Sequence, residues 1–131
     1  MPKTTSTATT EGVKVTVESR YVAEQSRPRE GHYVFAYRVR IENRGTATVQ
    51  LRSRHWLVTD AFGGVREVKG PGVVGEQPVL APGDVFEYSS GSMLATQRGT
   101  MHGSYQMERE DGTSFDAEIA TFLLEMPYSL N

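Results

Sequence analysis

The residue spacing that comes closest to that of a known binding site lies in residues 70–75 (Gly-Pro-Gly-Val-Val-Gly). The three glycines of this segment fit the pattern G-x-G-x-x-G: Gly70, Gly72 and Gly75. In dinucleotide-binding proteins this pattern follows a strand and opens a helix whose N-terminus binds a pyrophosphate. Pro78 and Pro82 interrupt the segment in which that helix would continue, which argues against a Rossmann-type site. Two interpretations remain: the backbone N–H groups of the loop bind an anion without a helix, or the glycines only allow a chain crossing between sheets.

Four arginines on two successive apolar-alternating segments form a second candidate for an anion site. Pairing Val39 with Leu51 across a hairpin would place their side chains in one stripe on the outer face of a sheet: Arg38, Arg40, Arg52 and Arg54. Like charges that face each other across strands destabilise a sheet, so such a stripe indicates acidic neighbours or an anionic partner. Glu42 and acidic residues of the second half of the chain are the neighbours that would make it a solvated face.

Metal and catalytic chemistry have weaker support. The chain has no cysteine, and its histidines stand far apart in the sequence: His32, His55 and His102. The carboxylates that Mg²⁺ would prefer are not grouped by spacing either. No nucleophile has a neighbouring base, and no carboxylates are paired. We therefore expect no catalytic residue, no metal ligand and no cofactor.

Composition favours a single folded domain. The 131 residues are 37% hydrophobic and 23% charged, with a formal net charge of −2, which argues against a general nucleic-acid binder. No apolar run approaches the roughly 20 residues of a membrane span, and residues 1–10 lack the apolar segment of a signal peptide. The sequence therefore predicts a cytoplasmic protein without membrane insertion.

Apolar residues alternate with polar ones in segment after segment, with turn residues between them, and this pattern is typical of half-buried strands. About seven such segments predict an all-β chain folded as an immunoglobulin-like or fibronectin type III-like sandwich of antiparallel strands. Changes of phase predict bulges near Arg54-His55 and near Phe122. Trp56 is expected in the core. We predict a disordered tail at 1–11, a domain at 12–126, and a C-terminal tail at 127–131.

Several motifs together resemble the ApaG proteins of bacteria over about residues 12–125. They include Arg54-His55-Trp56, residues 68–75, residues 78–83 and residues 99–107. The resemblance implies a fibronectin type III-like fold and a gene often placed beside a diadenosine tetraphosphate hydrolase. It also implies an association with cobalt and magnesium efflux or resistance, and a likeness to the recognition domains of eukaryotic F-box proteins.

These observations lead to one expected function and two alternatives. We expect a non-catalytic cytoplasmic module that binds another protein through a sandwich face, an edge strand or the polar loop at 21–31. The first alternative is binding of an anionic small molecule, a nucleotide or pyrophosphate, at the glycine loop and the arginines. The second is direct binding of a divalent metal.

Overall fold

The computed structural model describes residues 2–127, and within them the chain forms nine strands and two one-turn 3₁₀ helices. The strands are β1 (Thr5–Thr10), β2 (Val13–Tyr21), β3 (Tyr33–Asn43), β4 (Val49–Asp60), β5 (Val65–Pro71), β6 (Val79–Leu80), β7 (Val85–Leu94), β8 (Arg98–Arg109) and β9 (Ser114–Glu125). The 3₁₀ helices are Ala23–Gln25 and Pro28–Glu30. Residues 128–131 of the predicted C-terminal tail lie outside the described residues.

Two antiparallel sheets pack face to face, which confirms the predicted β-sandwich. In the described part of the chain, one sheet has the strand order β1-β2-β3-β7 and the other β5-β4-β8-β9, with β6 paired to the first residues of β4. Seven long strands correspond to the predicted seven, and β1 and the two-residue β6 are additional. Alternate residues of both sheets point inward and form one continuous core.

The predicted disordered tail at residues 1–11 was wrong for residues 5–10, which form β1. This strand pairs with β2, and its other side contacts β9, where Ser6 Oγ donates to Ala120 O at 2.8 Å. The strand has no buried residue, so the apolar alternation that reveals the other strands is absent from it. Its sequence, Thr-Ser-Thr-Ala-Thr-Thr, carries only the β-propensity of threonine.

The predicted hairpin between β3 and β4 was also wrong, because these strands lie in different sheets. The connection crosses from one sheet to the other and is held by Asn43, which is only 1% exposed. Its Nδ2 donates to Ala47 O at 2.8 Å and to Leu80 O at 2.9 Å. Gly12 lies so close to this crossing that a Cβ at that position would be 2.7 Å from Gly45 Cα.

Trp56 is buried at the centre of an aromatic cluster, as predicted. Its ring centroid lies 5.3 Å from that of Tyr37, 6.2 Å from Tyr105 and 5.9 Å from Phe122. The hydroxyls of Tyr105 and Tyr88 hydrogen bond to each other across the sandwich. Burial raises the pKa of both hydroxyls well above the ordinary value, so both stay neutral.

Two shifts of register change which residues of β4 and β9 face the core. The β4–β8 register shifts between Leu51 and Ser53, slightly before the predicted bulge at Arg54-His55. The β8–β9 register shifts opposite Met101 and Gly103, beside the predicted bulge near Phe122. Beyond the first shift, Arg54 pairs with the fully buried Tyr105 and therefore lies on the inner face of its sheet.

Candidate functional site

The structure divides the predicted arginine stripe between the two sheets. Arg38 and Arg40 lie on β3, where their guanidinium groups hydrogen bond to the two oxygens of Glu87 at 2.8 and 3.0 Å. Arg52 lies on β4 in the other sheet and forms an ion pair with Glu108 at 3.4 Å. Each of these three arginines thus has an acidic neighbour, which supports the interpretation as a solvated face. The single stripe was wrong because it depended on pairing β3 with β4.

The ion pairs of Glu87 give a prediction for its titration. Hydrogen bonds from Arg40 and then Arg38 hold the pKa of this carboxyl below its ordinary value of 4.5. Because the folded-state pKa is the lower one, the stabilisation is present above pH 4.5 and is lost as the pH falls through the folded pKa. We expect Arg40→Ala to raise the Glu87 pKa in a carboxyl NMR titration.

Arg44→Ala is the matched control for this titration. Arg44 is the main cause of the lowered pKa of Glu42 and is not among the groups that act on Glu87. The control should therefore raise the pKa of Glu42 and leave Glu87 unchanged. An unchanged Glu87 pKa in Arg40→Ala would contradict the assignment of the pair.

Arg54 is the predicted arginine whose guanidinium contacts the glycine loop. Its Nη1 donates to Pro71 O at 2.9 Å and to Gly72 O at 3.0 Å. A Cβ at Gly70, directly opposite on β5, would lie 3.0 Å from the guanidinium. The absence of a side chain at Gly70 therefore makes room for Arg54, which holds the loop by its carbonyl groups.

The glycine loop closes on itself in a two-residue turn. Val73 N donates to Glu76 O and Glu76 N donates to Val73 O, both at 2.8 Å, while Gly72 N donates to Arg52 O at 2.9 Å. These bonds engage N–H groups that an anion would otherwise use, and they support the second interpretation of the glycines, a structural crossing. Anion binding by Gly70, Gly72 and Gly75 stays a prediction.

Val74 occupies a strained position at the tip of this turn. Its φ is +42° and that of Gly75 is +82°, the backbone geometry of a type I′ turn. A β-branched residue in this region costs on the order of 1–3 kcal/mol, and such residues are concentrated at functional sites. The side chain of Val74 is 55% exposed, so the strain does not serve packing in the core.

Within residues 2–127, one side of the sandwich is covered and the other is open. β1 and β2 contact β9 along one side. On the opposite side the edge strands are β5 and β7, and we call the free edges of these two strands the open edge. Arg66 of β5 reaches across it, with Nη2 donating to Ser92 Oγ at 3.1 Å and to Met93 O at 3.3 Å.

A rigid turn at one end of the open edge presents Phe62, whose residue surface is 90% exposed. Asp60 Oδ1 accepts hydrogen bonds from Phe62 N at 2.8 Å and Gly64 N at 2.9 Å, and Ala61 N donates to Thr96 Oγ1 at 3.1 Å. The turn is therefore fixed by three side-chain bonds, although its aromatic side chain packs against little.

A cavity of about 260 Å³ lies beside this turn. Its walls come from both sheets: Val58, Asp60, Gly64, Val65, Arg66, Met93, Leu94 and Ala95. Val65 and Met93 at its rim are 62% and 46% exposed. We call Phe62, Val65, Met93 and this cavity the Phe62 surface. In the sequence, residues 60–64 are typical only of a turn, and the signal that could have revealed an exposed anchor is the aromatic residue that directly precedes its two glycines.

The residues considered for metal binding form no cluster in the described part of the chain. His55 Nε2 lies 2.6 Å from Glu67 Oε2 on the outer face of the five-stranded sheet. Across residues 2–127, no group of three or more histidine, aspartate or glutamate side chains is arranged to hold a metal ion.

The loop at 21–31 is largely exposed, and Ser26 anchors it by donating to Val22 O at 2.7 Å. No helix formed by residues 2–127 is long and apolar enough to cross a membrane.

Comparison with known proteins gives a consistent result. The ApaG domain family matches residues 23–109. Two relatives, both described as Protein ApaG, come from Paramagnetospirillum magneticum and Thiobacillus denitrificans. The first is 58% identical over 120 residues, covering 92% of each chain, and the second is 60% identical over 119 residues, covering 91% of this chain and 94% of the relative.

Solved structures agree with these relatives. The structure described as the putative ApaA protein of Bordetella pertussis superimposes with a TM-score of 0.86 at 49% identity, over 98% of this chain and 100% of that one. The C-terminal domain of wzt superimposes with a TM-score of 0.55 at 12% identity, which shows a shared fold alone.

Proposed function

The chain belongs to the ApaG domain family, and we propose that it is a non-catalytic cytoplasmic module that recognises another protein. The Phe62 surface is the region that makes this contact. The role rests on local chemistry, because many unrelated functions share the sandwich fold.

The observation that carries the proposal is the 90% exposure of Phe62 on a turn fixed by hydrogen bonds. Exposing an aromatic ring costs hydrophobic free energy, and because the backbone of this turn is already fixed, covering the ring with a partner costs only the rotamer freedom of the Phe62 side chain. The neighbouring cavity, with Val65 and Met93 at its rim, offers apolar area next to that anchor. An aromatic anchor beside a pocket is the arrangement that dominates binding energy in protein interfaces.

Site-specific photo-cross-linking in the native cell tests this proposal. A benzophenone amino acid at position 62 is expected to give a discrete cross-linked protein after irradiation. The matched control places the same group at Val79, which is 59% exposed and lies on β6 beside the start of β4, whereas Phe62 follows its end. Cross-links that are equally abundant at both positions, or absent at position 62, would refute the Phe62 surface as a recognition site.

Phe62→Ser is the companion variant for this test. The side chain is exposed, so the substitution should change the free energy of unfolding by no more than about 0.5 kcal/mol. For this variant the benzophenone amino acid is placed at position 65 instead. If the cross-linked protein forms with Phe62 present and is lost when Phe62→Ser is added, the affinity depends on the phenyl ring.

Binding of a nucleotide or pyrophosphate at the glycine loop is the alternative, and the position of Arg54 against that loop favours it. It requires the guanidinium to exchange its bonds to Pro71 O and Gly72 O for bonds to the ligand. Direct binding of a divalent metal is the second alternative and has the paired His55 and Glu67 as its nearest ligands.

A further inference from the structure

The free edge of β7 has no strand partner within residues 2–127. Among the described residues, the strand that pairs with β7 is β3, and this pairing covers one side of β7 only. Asn43 N donates to Asp84 O, so the ladder bonds to β3 fall on the even-numbered residues that follow. The odd-numbered residues therefore direct their N–H and C=O groups away from β3, toward the free edge. Arg66 agrees with this assignment, because its guanidinium donates to the carbonyl oxygen of the odd-numbered Met93 from that edge.

Devices that commonly protect strand edges are scarce on β7. Its register with β3 runs without a shift from Val85 to Leu94, whereas the β4–β8 and β8–β9 pairs are both interrupted by bulges. The strand contains no proline and no lysine, and its inward-facing residues are uncharged. The other free edge, β5, carries Lys69 and ends in Pro71. The β7 edge is thus the better template for another strand.

Arg66 adds a charge to this edge that the described residues do not balance. No carboxylate oxygen of residues 2–127 lies within 4.0 Å of its guanidinium, which instead donates to a neutral hydroxyl and a carbonyl. These two bonds are exposed and can be exchanged for a bidentate bond to a carboxylate. Charge complementarity therefore selects a partner with an acidic group near Met93.

We infer that the partner binds as an extended segment added to β7, with an acidic side chain on Arg66 and an apolar side chain against the Phe62 surface. The occupant is an extended peptide segment because unpaired backbone N–H and C=O groups at a strand edge are satisfied by another strand. This inference rests on the proposed function, since it specifies how the recognised protein is held.

Peptide selection on the whole chain provides the probe. Random peptides about ten residues long, displayed on phage, are selected against the protein, and the enriched sequences are synthesised. Ser89→Pro removes an outward N–H without removing a ladder bond, because proline is tolerated at a strand edge when its nitrogen faces outward. We expect Ser89→Pro to weaken binding about tenfold or more, and Ser89→Ala to change it by less than about twofold. Arg66→Gln should weaken acidic peptides selectively.

Hydrogen exchange supplies a readout that a general loss of fold would not produce. Bound peptide should slow the exchange of the amides of Glu87, Ser89 and Gly91, while the even-numbered amides between them are already protected by β3. Unchanged melting of Ser89→Pro shows that the variant is folded.

The outcomes separate this inference from the proposed function. Peptides that bind without protecting these amides, or that bind Ser89→Pro as well as the parent chain, overturn strand addition. Failure to enrich any peptide overturns it as well. In each case a specific cross-link at position 62 would leave the protein-recognition role standing, whereas its absence would remove that role independently.

Discussion

The substitution Gly103→Ala is expected to destabilise the protein by about 3 kcal/mol, the upper end of the usual cost of overpacking. A Cβ at this position would lie 1.9 Å from His55 O and 3.1 Å from Trp56 Cα. Both are backbone atoms of β4, so neither can move away without disturbing the longest strand pairing of the five-stranded sheet. Urea or thermal unfolding followed by circular dichroism measures the loss.

Ser104→Ala is the matched control for Gly103→Ala. It alters the next residue of β8, whose half-buried hydroxyl on the outer face accepts a hydrogen bond from Gln106 Nε2 at 2.9 Å, and its loss should cost about 1 kcal/mol or less. The φ of Gly103 is not in the left-handed region, so the expected loss comes from space and not from backbone angle. Similar unfolding midpoints for the two variants would show that β4 and β8 can separate at this point.

Close contact between β8 and β4 also accounts for the two glycines in the motif over residues 99–107. A Cβ at Gly99 would lie 2.3 Å from Thr59 O, so both glycines of this segment sit where β8 closely approaches β4. The sequence shows that glycine occupies these two positions, but it cannot show which neighbouring atoms leave no room for a side chain. The structure assigns these two positions to packing of the sheet.

Apolar alternation predicted the long strands because it depends only on one face being buried. It could not assign them to sheets, because a strand that returns in the same sheet and one that crosses to the other alternate alike. The crossing after β3 depends on the side chain of Asn43 and the close approach of Gly12 to Gly45. These are contacts between distant segments. Because they place β3 and β4 in different sheets, they also separate the arginines of the predicted stripe.

Turn chemistry was only partly predictable. The pair Asp111-Gly112 is typical of a type I′ turn, yet within residues 2–127 only Glu11 and Val74 are non-glycine residues with positive φ. Asp111 uses its carboxylate instead, accepting from Thr113 N at 2.9 Å. Turns with two positive φ angles occur at Glu11-Gly12 and Val74-Gly75, where Glu and Val are less favourable first residues than Asp.

The candidate site was the least predictable part of the molecule. The notable sequence features were glycines and arginines, whereas the Phe62 surface combines a turn with residues from β5 and β7 of opposite sheets. A free edge depends on the order of strands within a sheet, which neither charge nor hydrophobic periodicity encodes. Arg66, in contrast to the other arginines, became informative only once its neighbours were known.

Trp56→Ala is expected to cost about 3–5 kcal/mol, because it removes the ring that connects the aromatic residues of the two sheets. Trp56 is 2% exposed and contacts Tyr37 of one sheet and Tyr105 of the other. Its loss would leave a cavity that the rigid sheets can fill only in part. Urea unfolding followed by circular dichroism is the measurement, since the only tryptophan is removed.

Leu57→Ala is the control, because this adjacent side chain is half-buried on the outer face of β4 and should cost about 1 kcal/mol. Trp56→Phe should recover much of the loss, since an aromatic ring remains between Tyr37 and Tyr105. A loss in Trp56→Ala no greater than in Leu57→Ala would contradict the central role of the ring. Because Phe62 lies outside the core cluster, Trp56→Phe should also retain the cross-link at position 62, which separates stability of the core from recognition.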